Sequence, residues 1–352
     1  MTYLPRQTVA AQHGFTLIEL MVAMLLGLLV VAAAGSLFLS NTRVYGATES
    51  IGRIQENQRS AFEILARDIR EAGINPCLRI DGVNTDVFGV QLAAPDNVFW
   101  SRFADGVFGA DGTGANGSDE ITLYGANGTV YSVTEHKRPG DAISVGAATA
   151  GIANGQLLMI CNTDHAVVFS ATGVTASGTT IGHAGTANCG ANITRPELGA
   201  ADCAAVNANP RYCFWLGTGV AKTPADTTAC PGGIGSSPAF VVAPVQAVWT
   251  VANNGRGGTS LYRTLNGVRS EIAEGVTGLA LSYKVGDDTD YEDASGVVAA
   301  GGWSQVTAVR AQMTFRAEQG ALSRADVSGV DDAALTRTLN DYIVLRNHQD
   351  IQ

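Results

Sequence analysis

Residues 13–23 read HGFTLIELMVA, an apolar run that carries one carboxylate, Glu19, close to its start. An acidic side chain inside a bilayer is unfavourable by roughly 2.5–3.5 kcal/mol on insertion scales, so a group placed there calls for a partner. From Leu20 to Leu39 no residue is charged. That stretch makes a helix of about 30 Å, the thickness of a bilayer core. Ahead of it, residues 1–14 contain Arg6 and no acid, so the positive-inside rule places the N-terminus in the cytoplasm and the rest of the chain across the membrane. A cleaved signal peptide, with AAAG (32–35) as its cut site, and a plain signal anchor are the two ordinary alternatives. Neither accounts for Glu19.

The helical pattern continues past the membrane-like part. Val44, Ala47, Ile51, Ile54, Ala61, Phe62, Leu65, Ile69 and Ala72 recur at steps of three and four, with Gln58 as the one polar interruption. This is the stripe of an amphipathic helix that faces a core. Arg59/Glu63 and Arg67/Glu71 are i,i+4 pairs on its wet face. Gly73 followed by Asn75-Pro76 is a stop signal. Residues 15–72 thus predict one helix of about 87 Å.

Gly14-Phe15-Thr16-Leu17-Ile18-Glu19 at the head of such a helix resembles the type IV prepilins and pseudopilins. The resemblance implies cleavage between Gly14 and Phe15 by a prepilin peptidase and N-methylation of Phe15. It also implies that Glu19 pairs with the new amino group of Phe15 on a neighbouring subunit, which sets the axial register of a filament. An unpaired charge in an apolar filament core would cost several kcal/mol. Two departures from major pilins, Ser36 where a Pro is common and a length of 352 residues, point to a minor component. Residues 61–77 (AFEILARDIREAGINPC), 261–285, 303–317 and YIVLRN (342–347) resemble PilW-type minor pilins. A GspJ-type pseudopilin of type II secretion is the alternative within the superfamily.

The resemblance implies a protein held in the inner membrane by a single pass, with a periplasmic C-terminal part, that later stands in or near the pilus tip. Its implied partners are other minor pilins, the major pilin, a tip adhesin, the inner-membrane pilus assembly platform and the peptidase. Twitching motility and cell adhesion are the processes such filaments serve.

Beyond residue 77 the period changes from 3.6 to 2. Leu279, Leu281, Tyr283 and Val285 share one strand face, and Val309, Ala311, Met313 and Phe315 another. Further strands are expected at 87–92, 120–124, 129–134, 156–161, 165–170, 240–251, 259–264 and 341–346. The predicted class is α+β. A leader (1–14) precedes the long helix (15–73), apolar over 15–39 and amphipathic over 40–73. A β-rich domain (74–352) then packs a mostly antiparallel sheet on the helix's second half. Residues 170–240, rich in Gly, Ala, Thr and Cys, read as a loop-dominated insertion.

Six cysteines, Cys77, Cys161, Cys189, Cys203, Cys213 and Cys230, suit disulfides in an oxidising compartment, with the pairing left open by the sequence. Trp215, beside Cys213, reads as a side chain packed on such a bridge.

A net charge of −10 argues against a general nucleic-acid surface. Gly112, Gly114 and Gly117 form a G-x-G-x-x-G, but it precedes a strand instead of following one, so a turn is expected there. Asp287, Asp288, Asp290, Glu292 and Asp293 are a weak Ca²⁺ candidate without EF-hand spacing. No cofactor is expected. No G-x-S-x-G or H-E-x-x-H occurs, and His136, His165, His183 and His348 have no companion motif, so no catalysis is expected. A membrane-tethered periplasmic enzyme or binding domain is the rival from another class.

Overall fold

The structure, a computed structural model, describes residues 14–77, 87–126, 128–196, 202–219, 221–223, 228–316 and 335–348. Most of the expected leader lies outside them. The first element is a single helix, α1 (Leu17–Arg70), and the chain divides into two compact units between Arg53 and Ile54 along it.

In the first unit the apolar run has a mean hydropathy of 2.6 and none of it is buried. Its leucines, valines and methionines are exposed all round, a surface stable only in lipid or against other apolar helices.

In the second unit α1 buries Ile54, Ala61, Leu65, Ala66 and Ile69. The expected stripe is therefore shorter at its start. Val44 belongs to the first unit and is exposed, while Ile51 and Phe62 are half-buried. The side chain of Ala47 lies outside the described residues. Both i,i+4 pairs form, Arg59–Glu63 at 2.9 Å and Arg67–Glu71 at 3.2 Å, on the exposed face where such pairs add little stability. Gly73 follows the helix with φ +74°, a conformation that favours glycine, and its N–H donates to Tyr124 O.

The strands are β1 (Phe88–Val90), β2 (Val107–Ala110), β3 (Glu120–Gly125), β4 (Tyr131–Glu135), β5 (Ile143–Val145), β6 (Leu157–Cys161), β7 (Ala166–Ser170) and β8 (Thr180–Ile181). They continue as β9 (Phe240–Val242), β10 (Val245–Asn253), β11 (Thr259–Leu265), β12 (Val268–Glu274), β13 (Val276–Val285), β14 (Val306–Arg316) and β15 (Thr336–Val344). Short helices α2 (Asn97–Asp105), α3 (Cys203–Ala208) and α4 (Ala294–Ala300) intervene.

Instead of one sheet there are three among the described residues. Their orders are β1-β7-β6-β9-β4-β5-β8, β12-β11-β10-β3-β2 and β13-β14-β15. Pairing is antiparallel except for β1 with β7. The run expected at 240–251 is split because Ala243-Pro244 interrupts it. Proline has no N–H to give a ladder, and β9 joins the first sheet while β10 joins the second.

The predicted faces of β13 and β14 are correct: Leu279, Leu281, Tyr283, Val285, Val309, Ala311, Met313 and Phe315 are all buried. The 170–240 segment is loop-rich as expected, but it does more than cover a surface. Ile193, Tyr212 and Phe214 lie in the core of the first sheet with Ile160, Val167 and Phe169. Trp215 is partly buried against that same core, whereas Cys213 packs with Leu216, Cys230 and Ile234. α2 is an unpredicted helix. Asp96 caps it by accepting from Phe99 N, and Trp100 and Phe103 pack on Phe88 and Tyr124.

Candidate assembly site at the helix N-terminus

Phe15 and Gly14 precede α1, and Thr16 and Glu19 occupy the N-cap and third helical positions. Thr16 Oγ1 accepts from Glu19 N at 3.3 Å, and Glu19 Oε2 accepts from Thr16 N at 3.4 Å. The Thr16 hydroxyl lies at 3.4 Å from the same Oε2. This is a reciprocal capping box, which satisfies two of the orphan donors at a helix start. The helix dipole adds to it, since its positive end favours a carboxylate in the first turn.

Glu19 is thus the residue that begins the helix as well as the charge expected to recruit a neighbour. Both contacts use Oε2. Oε1 accepts from no other described residue, so the carboxylate keeps acceptor capacity for an ammonium group. Thr16 was missed at the sequence level, although T-x-x-E directly before an apolar run is the signature of this cap.

Gly14 and Phe15 are exposed. A Cβ on Gly14 would meet nothing within 4 Å, and its φ is not in the left-handed region. Among the described residues, neither packing nor backbone conformation requires glycine there. The same openness holds at Gly27 and Gly35 in the apolar run.

The cysteines pair as Cys77–Cys161, Cys189–Cys203 and Cys213–Cys230, with Cα separations of 5.8, 4.8 and 5.9 Å. The first ties the segment after α1 to β6. The other two close short loops in the 170–240 segment, each removing about 3 kcal/mol of denatured-chain freedom in the loop-entropy model.

The acidic segments behave differently from a cation site. No group of three or more metal-ligating side chains converges among the described residues. Asp293 caps α4, with its carboxylate held below the usual range by the Ser295 hydroxyl and the Gly296 N–H. Asp111, from the other acidic loop, accepts from Ala294 N and Ser295 N at 2.9 Å. Asp287, Asp288 and Asp290 are exposed, and Glu292 bridges Tyr283 through its backbone. The glycine-rich stretch 112–117 is a turn that leads into β3, with Gly114 N donating to Ser118 O.

Of the four histidines, His136 and His183 meet edge to face at 5.8 Å, and His165 packs on Tyr212. His136 Nδ1 accepts from Phe214 N, and its Nε2 is buried without a partner among the described residues. Burial pushes the His136 imidazolium down to about 3, with the neighbouring His183 adding to it.

Comparison with curated proteins and with solved structures returned no match. Residues 10–35 match the family model described as the prokaryotic N-terminal methylation motif. The matched stretch holds Gly14, Phe15, Thr16 and Glu19 and about the first third of α1, and it supports a type IV pilin-like protein anchored by its apolar helix.

Proposed function

We propose that this chain is a minor pilin of a type IV pilus, a structural subunit that primes filament assembly and lies in or near the tip complex. The observation that carries this is the head of α1: Glu19 with a free carboxylate oxygen, four residues beyond an exposed Gly14-Phe15 bond, on a helix whose apolar surface is uncovered. Cleavage after Gly14 by a prepilin peptidase creates an amino group on Phe15. Its methylation keeps that nitrogen cationic, and it becomes the partner of Glu19 on an adjacent subunit. Because Gly14 is free of packing and backbone demands, its identity is explained by the peptidase that must reach the bond.

Before assembly the protein sits in the inner membrane with its sheets in the periplasm, where three disulfides suit the redox conditions. The assembly platform then extracts it. The apolar part of α1 enters the filament core beside major and minor pilins, and the sheet-bearing unit meets other minor pilins or a tip adhesin. The protein acts by assembly and not by catalysis. The test is recovery of the chain in sheared pili. Presence there supports a pilus subunit, and presence only where a secretion apparatus is assembled supports the pseudopilin alternative.

A further inference from the structure

β15 lies at the end of its sheet and has no neighbour on its outer side among the described residues. Thr336, Arg337, Thr338, Asn340, Asp341, Tyr342 and Val344 are exposed. Long open edges are usually blunted by proline, charged side chains, a bulge or a cover. β15 has no proline, its two charges, Arg337 and Asp341, are of opposite sign, and its register with β14 runs from Arg316↔Thr336 to Ala308↔Val344 without a shift. The other long edges differ: on the outer side of β13, Asp119 N donates to Leu279 O and Leu281 N donates to Asp119 Oδ2, and β12 is blunted in another way. Its pairing with β11 carries a bulge, and Glu271 and Glu274 are held by Arg256.

We infer that β15 is a self-pairing edge, which joins antiparallel to β15 of a second copy of this chain about a two-fold axis at Leu339. The backbone fixes which residues bond. Leu345 N donates to Thr307 O at 3.0 Å, so odd-numbered residues turn their amides toward β14. Thr336, Thr338, Asn340 and Tyr342 therefore direct N–H and C=O outward. An axis at Leu339 sets Thr336 against Tyr342 and Thr338 against Asn340 as hydrogen-bonded pairs. It sets Arg337 against Asp341 and Leu339 against Leu339 as the closer, non-hydrogen-bonded pairs, whose Cα atoms approach to about 4.5 Å.

Two ion pairs then flank one apolar contact on the same face, the arrangement that cross-strand pairing rewards. The neighbouring registers fail. An axis at Asn340 puts Asp341 opposite Leu339 and Arg337 opposite Ile343, and an axis at Asp341 opposes that carboxylate to itself. In the single chain Asp341 Oδ1 accepts from Tyr342 N at 2.8 Å. Pairing exchanges that contact for the Arg337 guanidinium and returns the Tyr342 N–H to the ladder. A two-fold pair of this kind is isologous and closed, so it stops at two copies.

This inference stands apart from the pilin assignment, and its test is made in membranes of cells that lack an assembly machine. All six native cysteines are bridged, so Leu339→Cys introduces the one free thiol of the full-length chain. Mild oxidation is expected to give a covalent dimer from Leu339→Cys and none from Thr336→Cys, whose equivalents lie far apart. Adding Arg337→Asp is expected to abolish the Leu339→Cys dimer, and adding Asp341→Arg as well to restore it. No dimer from Leu339→Cys, or equal dimer from both positions, overturns the pairing.

Should the cysteine variants not accumulate, the mass of the detergent-solubilised chain decides with exposed residues alone. The unmodified chain is expected as a dimer, Arg337→Asp as a monomer and the double reversal as a dimer. A monomeric unmodified chain, or a dimer indifferent to Arg337→Asp, overturns it.

Discussion

Asp68 and Arg263, 195 residues apart in the chain, form a two-pronged ion pair, with Nε to Oδ2 at 2.6 Å and Nη2 to Oδ1 at 3.0 Å. The indole of Trp249, which is fully buried, donates to the same Oδ2 at 2.9 Å. One carboxylate near the end of α1 thus holds β10 and β11. Asp68→Ala would leave an indole N–H and a largely covered guanidinium without their acceptor, since the two ionic side chains are only 11% and 27% exposed. A loss of about 3 kcal/mol is expected. Chemical unfolding followed by tryptophan fluorescence checks it, and a change under 1 kcal/mol, about the value of a surface pair, would refute the anchoring role.

Glu19→Ala is expected to leave the chain in the membrane, because the apolar run is untouched, while its recovery in sheared pili falls. Thr16→Ala separates the two tasks of Glu19. It removes the cap hydroxyl, which costs about 1 kcal/mol at a helix start, and keeps the charge. Pilus recovery should suffer far less than in Glu19→Ala. Normal incorporation of Glu19→Ala would end the register argument.

Reduction of the native protein should open the 189–230 region first, where two bridges close short loops around a small cluster of Cys213, Leu216, Cys230 and Ile234. Limited proteolysis with and without reductant reads this directly. Unchanged cleavage there would mean that the bridges contribute little to local order.

A buried imidazole and a half-buried carboxyl give opposite pH dependences. His136 titrates near 3 in the folded chain and near 6.5 when unfolded. The unfolded chain therefore takes up its proton first, and stability falls as pH drops from about 6.5 toward 3, by at most about 1.4 kcal/mol per pH unit. Burial pushes the Asp105 carboxyl up to about 6 from 3.8, so its contribution is lost as pH rises across that interval. Asp105→Asn should stabilise the protein above pH 6, and His136→Gln should flatten the acid side of the profile. An unchanged acid slope in His136→Gln would show that His136 is not what limits acid stability.

The long helix, its stop at Gly73 and the inward faces of β13 and β14 were legible because periodicity and capping are local properties. The same locality exposed Gly14, Phe15 and Glu19. What was not legible depends on distance along the chain. Nothing near Asp68 in the sequence marks its role, because Arg263 and Trp249 reach it only through sheet pairing. The convergence of Asp111 and Asp293 on α4 joins loops some 180 residues apart. The separation of the first sheet from the second at β9 and β10 turns on Pro244, whose effect was visible in principle as the breaker of an over-long strand. Burial of Val44 was overstated because a helical stripe shows which face is apolar and not how far along the helix a partner extends.

Maturation at the Gly14–Phe15 bond is tested most directly by the intact mass and N-terminal peptide of the protein taken from its native membrane. A chain that begins at N-methylated Phe15 is the predicted result. A chain that begins at Met1, or is cut near Ala34, would contradict the filament role of Glu19 and return the tethered-enzyme alternative to first place.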